Sequence, residues 1–175
     1  SAFANNTLLI SLEELKKDGL LSENDLSNYP SCSKDRLEFD KIVKTHSLLI
    51  NKAISNFKKH NKTNEKYQKF CENNKDWLNN YAAFCYLSEK FKTTNWTIWD
   101  SRYRIYNKQT INDFINSKKS ALNKFKIAQF LFFDQWQNLK KYSNRKGIKI
   151  IGDIPIYVSH YSSDVWSNQS LFKID

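Results

Sequence analysis

Three glycines and two prolines in 175 residues are the strongest constraint on how this chain folds. Tight turns draw on those two residues, and an all-β chain needs such punctuation every few residues. The hydrophobic share of 40% and aromatic share of 15% are too rich for a disordered tail. A segment made mostly of helices is therefore expected.

The chain divides accordingly. Residues 1–10 are small and apolar and read as a loop packed into something. Ser11 with Glu14 forms a capping box, in which the hydroxyl satisfies the amide of residue 14 and Glu14 reaches back. Gly19 stops that helix, and Ser22 with Asp25 starts a second, which ends near Pro30. From 34 to 59, Leu37, Phe39, Ile42, Val43, His46, Leu49, Ile50, Ala53, Ile54 and Phe57 recur at the three- and four-residue steps of one helical face. Further helices are expected over 64–72, with Tyr67, Phe70 and Cys71, and over 76–92. Between 93 and 107 the period breaks, which places Trp96, Trp99, Tyr103 and Tyr106 in an ordered loop. Those rings read as core packing ahead of sugar stacking.

Helix resumes near Thr110, and the strongest element is expected over 120–146. Leu122, Phe125, Leu131, Phe132, Phe133, Trp136, Leu139 and Tyr142 give it an apolar face wide enough to pack against a sheet. Gly147 is placed to cap it. Ile148-Lys149-Ile150-Ile151 then reads as a short buried strand. Helix, glycine and strand make half of a β/α repeat, so the fold class expected is α/β, the opening of an α/β barrel interrupted by a helical insertion. Asp153, after Gly152, would stand at the C-terminal end of that strand, where barrel enzymes keep their active sites. Local physics alone leaves it equally open to a turn or capping role.

The formal charge of +10 suggests nucleic acid, but the excess is nearly all Lys, with Arg only at 36, 102, 104 and 145. A dedicated binder enriches Arg for bidentate phosphate and guanine contacts. No nucleic-acid partner is expected, and a basic helical module binding RNA or an acidic protein stands as the rival reading. Cys32, Cys71 and Cys85 are odd in number and lack metal-ligand spacing, and His46, His60 and His160 are scattered. No metal, cofactor or disulfide framework is expected. No run approaches the roughly 18 apolar residues of a membrane span, and no signal-peptide pattern opens the chain. A cytoplasmic protein with no membrane partner is the expectation, and the oligomeric state is left open. The start at Ser1, the absence of Met, and an end at Leu171-Phe172-Lys173-Ile174-Asp175 together read as an internal piece of a longer chain.

Several stretches carry a resemblance. Phe130-Leu131-Phe132-Phe133-Asp134-Gln135-Trp136-Gln137, Gly147-Ile148, Ile151-Gly152-Asp153-Ile154-Pro155-Ile156-Tyr157-Val158, Asp164-Val165-Trp166 and Leu171-Phe172 closely resemble the 4-α-glucanotransferases of glycoside hydrolase family 77, the amylomaltase type. Ser1-Ala2-Phe3-Ala4-Asn5-Asn6 with Leu8-Leu9-Ile10 is similar to the family's Ser-Ala-Phe-Ala-Gly-Asn-Pro segment. Asp76-Trp77-Leu78, Tyr81 and Phe84 resemble its helical insertion.

The resemblance implies a partial (β/α)8 TIM barrel with a large, mostly helical insertion. Residues 1–10 would be a loop after an early barrel strand and 11–118 the insertion. Residues 119–175 would supply a barrel helix, a strand and the following active-site loop. It implies transfer of α-1,4-glucan segments, with malto-oligosaccharides as partners. Such retaining transfer uses two carboxyl groups about 5–5.5 Å apart. The family's nucleophilic Asp and acid/base Glu fall beyond Asp175, so no catalytic residue is assigned here and the segment alone is expected to be inactive and poorly soluble.

Asp153 matches the family's substrate-site Asp, which orients a sugar hydroxyl or a neighbouring Arg. Asn6 and His160 match positions lining the same mouth, although Asn6 also suits capping of loop amides and His160 a solvated loop. Trp166 reads as packed. Three departures stand out: Asn5 for Gly, where Asn tolerates positive φ, Thr7 for Pro, and Tyr161 for Asp.

Overall fold

The computed structural model describes residues 1–27, 29–30, 38–60, 64–153 and 155–174. The expected helix start at 34, Leu37 and Cys32 lie outside the described residues. The helices are α1 (Leu12–Lys17), α2 (Glu23–Ser27), α3 (Phe39–His60), α4 (Glu65–Asn73), α5 (Lys75–Phe91), α6 (Ser101–Arg104), α7 (Lys108–Ser117), α8 (Lys119–Arg145) and α9 (Ser163–Ser167). Short 3₁₀ turns occur at Thr7–Leu9, Trp96–Ile98 and Gln169–Leu171.

Among the described residues there is no strand, and this overturns the α/β, partial (β/α)8 expectation. Ile148-Lys149-Ile150-Ile151 has no regular structure, and Ile151 is 94% exposed. A strand is defined by the ladder it shares with a neighbour, and a buried one also needs cover on both faces. No described segment supplies either. The wide face of α8 is likewise covered only in part. Leu122, Ile127, Phe130 and Leu131 are buried, whereas Leu139 and Tyr142 are exposed.

The chain forms two compact units, each assembled from separated stretches. The first comprises Ser1–Asn5, Lys69–Lys126 and Ile150–Asp175, and the second Asn6–Gln68 and Ile127–Lys149. In the first, α5 packs against α7 and α9. Its core gathers Phe84, Leu87, Trp96, Trp99, Ile111, Phe114, Leu122, Val165 and Trp166. The rings of 93–107 thus pack inward, as expected, although Tyr103 sits in the short helix α6 and not in a loop. Trp99 stacks on Phe91 at 5.7 Å and meets Trp166 edge-on at 5.9 Å. Each buried indole N–H finds a carbonyl, Trp99 at Thr93 (3.1 Å) and Trp166 at Tyr103 (2.8 Å).

In the second unit α1 packs on α3, whose buried face is His46, Leu49, Ile50, Ala53, Ile54 and Phe57. Phe39, expected on that face, is exposed in the helix's first turn. Phe57, Tyr67 and Phe130 close a triangle of rings with centroids 5.4–5.6 Å apart. The His46 imidazole is buried, with Nδ1 3.2 Å from the Tyr29 hydroxyl and no hydrogen-bond partner at Nε2 among the described residues. Burial pushes its pKa below the ordinary value, and the Ile10 backbone opposes that shift.

The helix ends follow their expected chemistry with one exception. Ser22 and Asp25 complete a reciprocal capping box. Ser11 caps Glu14 N–H, but Glu14 does not return the bond and pairs instead with Lys17. The Ser11 amide donates to Gln135 Oε1. Gly19 (φ +71°) and Gly147 (φ +76°) close α1 and α8 in the left-handed conformation, as expected. The same closure ends α5 with Lys92 at φ +56°, where Thr93 N–H reaches back to the Ser88 carbonyl.

Candidate functional site

Residues 148–153 and 155–159 run without regular structure from the end of α8 towards α9. The start of the run is fixed by the α8 cap, where Ile148 N–H donates to the Ser143 carbonyl and Ser143 Oγ donates to Ile148 O. Its far end is fixed by packing. Val158 rests on the core of the first unit, and Trp96 Nε1–H donates to the His160 carbonyl at 2.7 Å. Ser162 then caps α9 by accepting from Val165 N–H. Gly152 and Asp153 lie between these anchors, and both are exposed.

His160 is exposed, and its ring lies on Trp96 at 5.4 Å with planes 27° apart and meets Tyr161 edge-on at 5.0 Å. This pairing escaped the sequence reading, which put Trp96 in the core and left His160 in a loop. The two residues lie 64 positions apart, so no local pattern links them. A buried indole under an exposed imidazole fixes the ring plane while leaving its outer face and edge to solvent.

Asp153 and His160 therefore share one stretch of the first unit, held at its far end by Val158 and Trp96, while Asn6 belongs to the second. Asn6 Oδ1 accepts from Leu8 N–H at 3.0 Å and caps the 3₁₀ turn Thr7–Leu9. Asn5 is not among the described positive-φ residues, so its substitution for Gly meets no strain. Trp166 is fully buried, as expected. Asp164 accepts from Ala2 N–H at 3.2 Å and ties the first residues to α9. Among the described residues no group of three His, Cys, Asp or Glu side chains is placed to hold a metal, and no helix is long and apolar enough to cross a membrane.

The family model described as 4-alpha-glucanotransferase matches residues 1–175. The 4-alpha-glucanotransferase of Clostridium butyricum is 37% identical over 177 residues, covering 100% of this chain and 36% of that protein. That of Aquifex aeolicus is 33% identical, covering 100% and 34%. The chloroplastic/amyloplastic enzyme of Oryza sativa is 36% identical, covering 99% and 30%. Among solved structures, the amylomaltase from Streptococcus agalactiae in complex with acarbose superposes with a TM-score of 0.87 at 30% identity. It is matched over 99% of this chain and 35% of its own. The chain is thus a glycoside-hydrolase-type sequence spanning about a third of the length of these relatives. It belongs to the 4-alpha-glucanotransferase family, glycoside hydrolase family 77.

Proposed function

We propose that the protein cuts an α-1,4-glucan and passes the released segment to the 4-hydroxyl of another glucan or of glucose, with retention of configuration. The observation that carries this reading is the family match along the entire chain, residues 1–175. Retaining transfer needs a nucleophilic and an acid/base carboxyl group about 5–5.5 Å apart. The resemblance assigns both roles to positions of the family pattern past residue 175. The segment by itself then binds and orients but does not catalyse.

In this reading Asp153 orients a sugar hydroxyl or an Arg next to the scissile bond, and His160 and Asn6 contact the sugar. Three observations support it. Asp153 is exposed after a glycine, the far end of its segment is anchored by Trp96, and the His160 ring is held flat on that indole. The free thiol of Cys85 suits a reducing, cytoplasmic setting.

The test is product analysis. The whole protein mixed with maltotriose should yield glucose and longer glucans, and an unchanged chromatogram rejects the proposal. Asp153→Ala should lower kcat/KM roughly tenfold or more, the loss of one hydrogen bond to a charged group (about 1.5–3 kcal/mol).

A further inference from the structure

A cleft of about 520 Å³ opens in the first unit where three helices end, and none of Asp153, His160 or Asn6 lines it. Lys90 in the last turn of α5, Arg102 and Tyr103 of α6, and Asp113, Ser117 and Lys118 at the end of α7 form its walls. The volume falls in the range of small-molecule sites, about 300–1,000 Å³.

Lys90, Arg102 and Lys118 are exposed, and none forms an ion pair with a described residue. Lys90 and Lys118 stand at the C-terminal ends of α5 and α7, whose carbonyls carry roughly half a negative charge, and Arg102 is the second residue of the four-residue α6. Those end charges offset only about half of each lysine's charge. Two of the three cations meet at one ring. Lys90 Nζ lies 5.2 Å from the Tyr103 ring centre, and Arg102 Cζ lies 5.7 Å from it. Phe114, edge-on to Tyr103 at 5.3 Å, holds that ring in place.

Two further side chains narrow the ligand class. Asp113 takes a bond from Gln109 on Oδ1, which leaves its other oxygen open to accept. Ser117 Oγ donates to the Phe114 carbonyl and keeps its lone pairs. A carboxylate beside three cations disfavours a polyanion and rewards a ligand that brings hydroxyl donors along with one anionic group. A neutral glucan would offer the cations no anionic partner, and bare phosphate would offer the Asp113 carboxylate no hydroxyl donor.

We infer that this cleft binds a phosphorylated sugar, with the phosphate on Lys90, Arg102 and Lys118 and hydroxyls on Asp113 and Ser117. The source is either a free monosaccharide phosphate or a phosphate-bearing glucan end, since both present the same chemistry. The inference rests on the cleft alone, so failure of maltotriose transfer would leave it standing.

Calorimetric titration of the protein with glucose 6-phosphate tests it. Saturable binding is expected, weakened about tenfold in each of Arg102→Gln and Lys118→Gln, the loss of one charge-assisted hydrogen bond. Lys149→Gln, an exposed cation in the other unit, should change nothing. Thermal melts of the variants should match the parent, because every substituted side chain is exposed. Tighter binding of a 6-phosphorylated maltose than of glucose 6-phosphate assigns the glucan end, and the reverse order the free monosaccharide. Absence of heat with glucose 6-phosphate overturns the inference. So do undiminished binding in Arg102→Gln and equal affinity for inorganic phosphate.

Discussion

Gln135 clasps both backbone groups of Ser11, with Oε1 accepting from the Ser11 amide at 2.8 Å and Nε2 donating to its carbonyl at 3.0 Å. A side chain 124 residues away thereby does the work that a capping box assigns to the residue three positions on. It fixes where α1 begins and ties that start to α8.

This assignment separates two substitutions. Gln135→Ala leaves both Ser11 groups without their partners in a half-buried setting and should cost about 1–3 kcal/mol. Glu14→Ala removes only the exposed pair with Lys17 and should cost well under about 1 kcal/mol. Urea unfolding of the two variants should give clearly different midpoints. Equal losses would mean that Glu14 caps the helix after all.

Lys92 invites a stabilising change. It holds φ +56° to close α5, a conformation that costs an L-residue about 1–2 kcal/mol and glycine nothing. Glycine gives back part of that gain through its freer unfolded chain. Lys92→Gly should therefore raise stability by about 0.5–1 kcal/mol, read as a higher melting temperature, whereas Gly147→Ala should lower it. A destabilised Lys92→Gly would show that the lysine's stem is packed.

Acid should weaken the second unit through His46. Because burial lowers its folded pKa, the unfolded chain takes up the proton first. The stability it contributes is complete above the unfolded pKa of about 6.5 and declines as pH falls through that value towards the folded one. Urea midpoints at pH 7.5 and 5 should differ in that sense, and less so in a His46→Gln variant.

Cys85 should be inert in the folded protein, since burial pushes its thiol to about 12 and thiolate is the reactive form. Mass spectrometry after brief iodoacetamide treatment should find Cys85 unlabelled until denaturant is added. Rapid native labelling would contradict the packing of α5.

Trp96→Phe tests the seat of His160. It keeps an apolar ring but removes the N–H that holds the His160 carbonyl. Global stability should fall by about 1–2 kcal/mol. Amide exchange around His160 should quicken more than that loss explains. Unchanged local exchange would mean that Ser162 and α9 suffice to hold the segment.

Much of this architecture was legible because helices announce themselves locally. The three- and four-residue steps of His46, Leu49, Ile50, Ala53, Ile54 and Phe57 located α3, and glycine at 19 and 147 marked two ends. What escaped were relations between distant residues. Ile148-Lys149-Ile150-Ile151 has the composition of a buried strand, yet composition cannot name the neighbour a ladder requires. Gln135 on Ser11, and Trp96 under His160, are likewise invisible to any window narrower than the gap between them. For the site, the family resemblance singled out Asp153, whereas the cations around Tyr103 carried no motif and emerged only where three helix ends met.

The discontinuous build of both units governs how the nascent chain must mature. Phe57 and Tyr67 leave the ribosome long before Phe130 arrives to complete their triangle, and Trp99 waits still longer for Trp166. Each early helix therefore spends part of synthesis with its apolar side bare. A chain cut short before Phe130 deprives the second unit of part of its own interior, and one cut short before Trp166 does the same to the first.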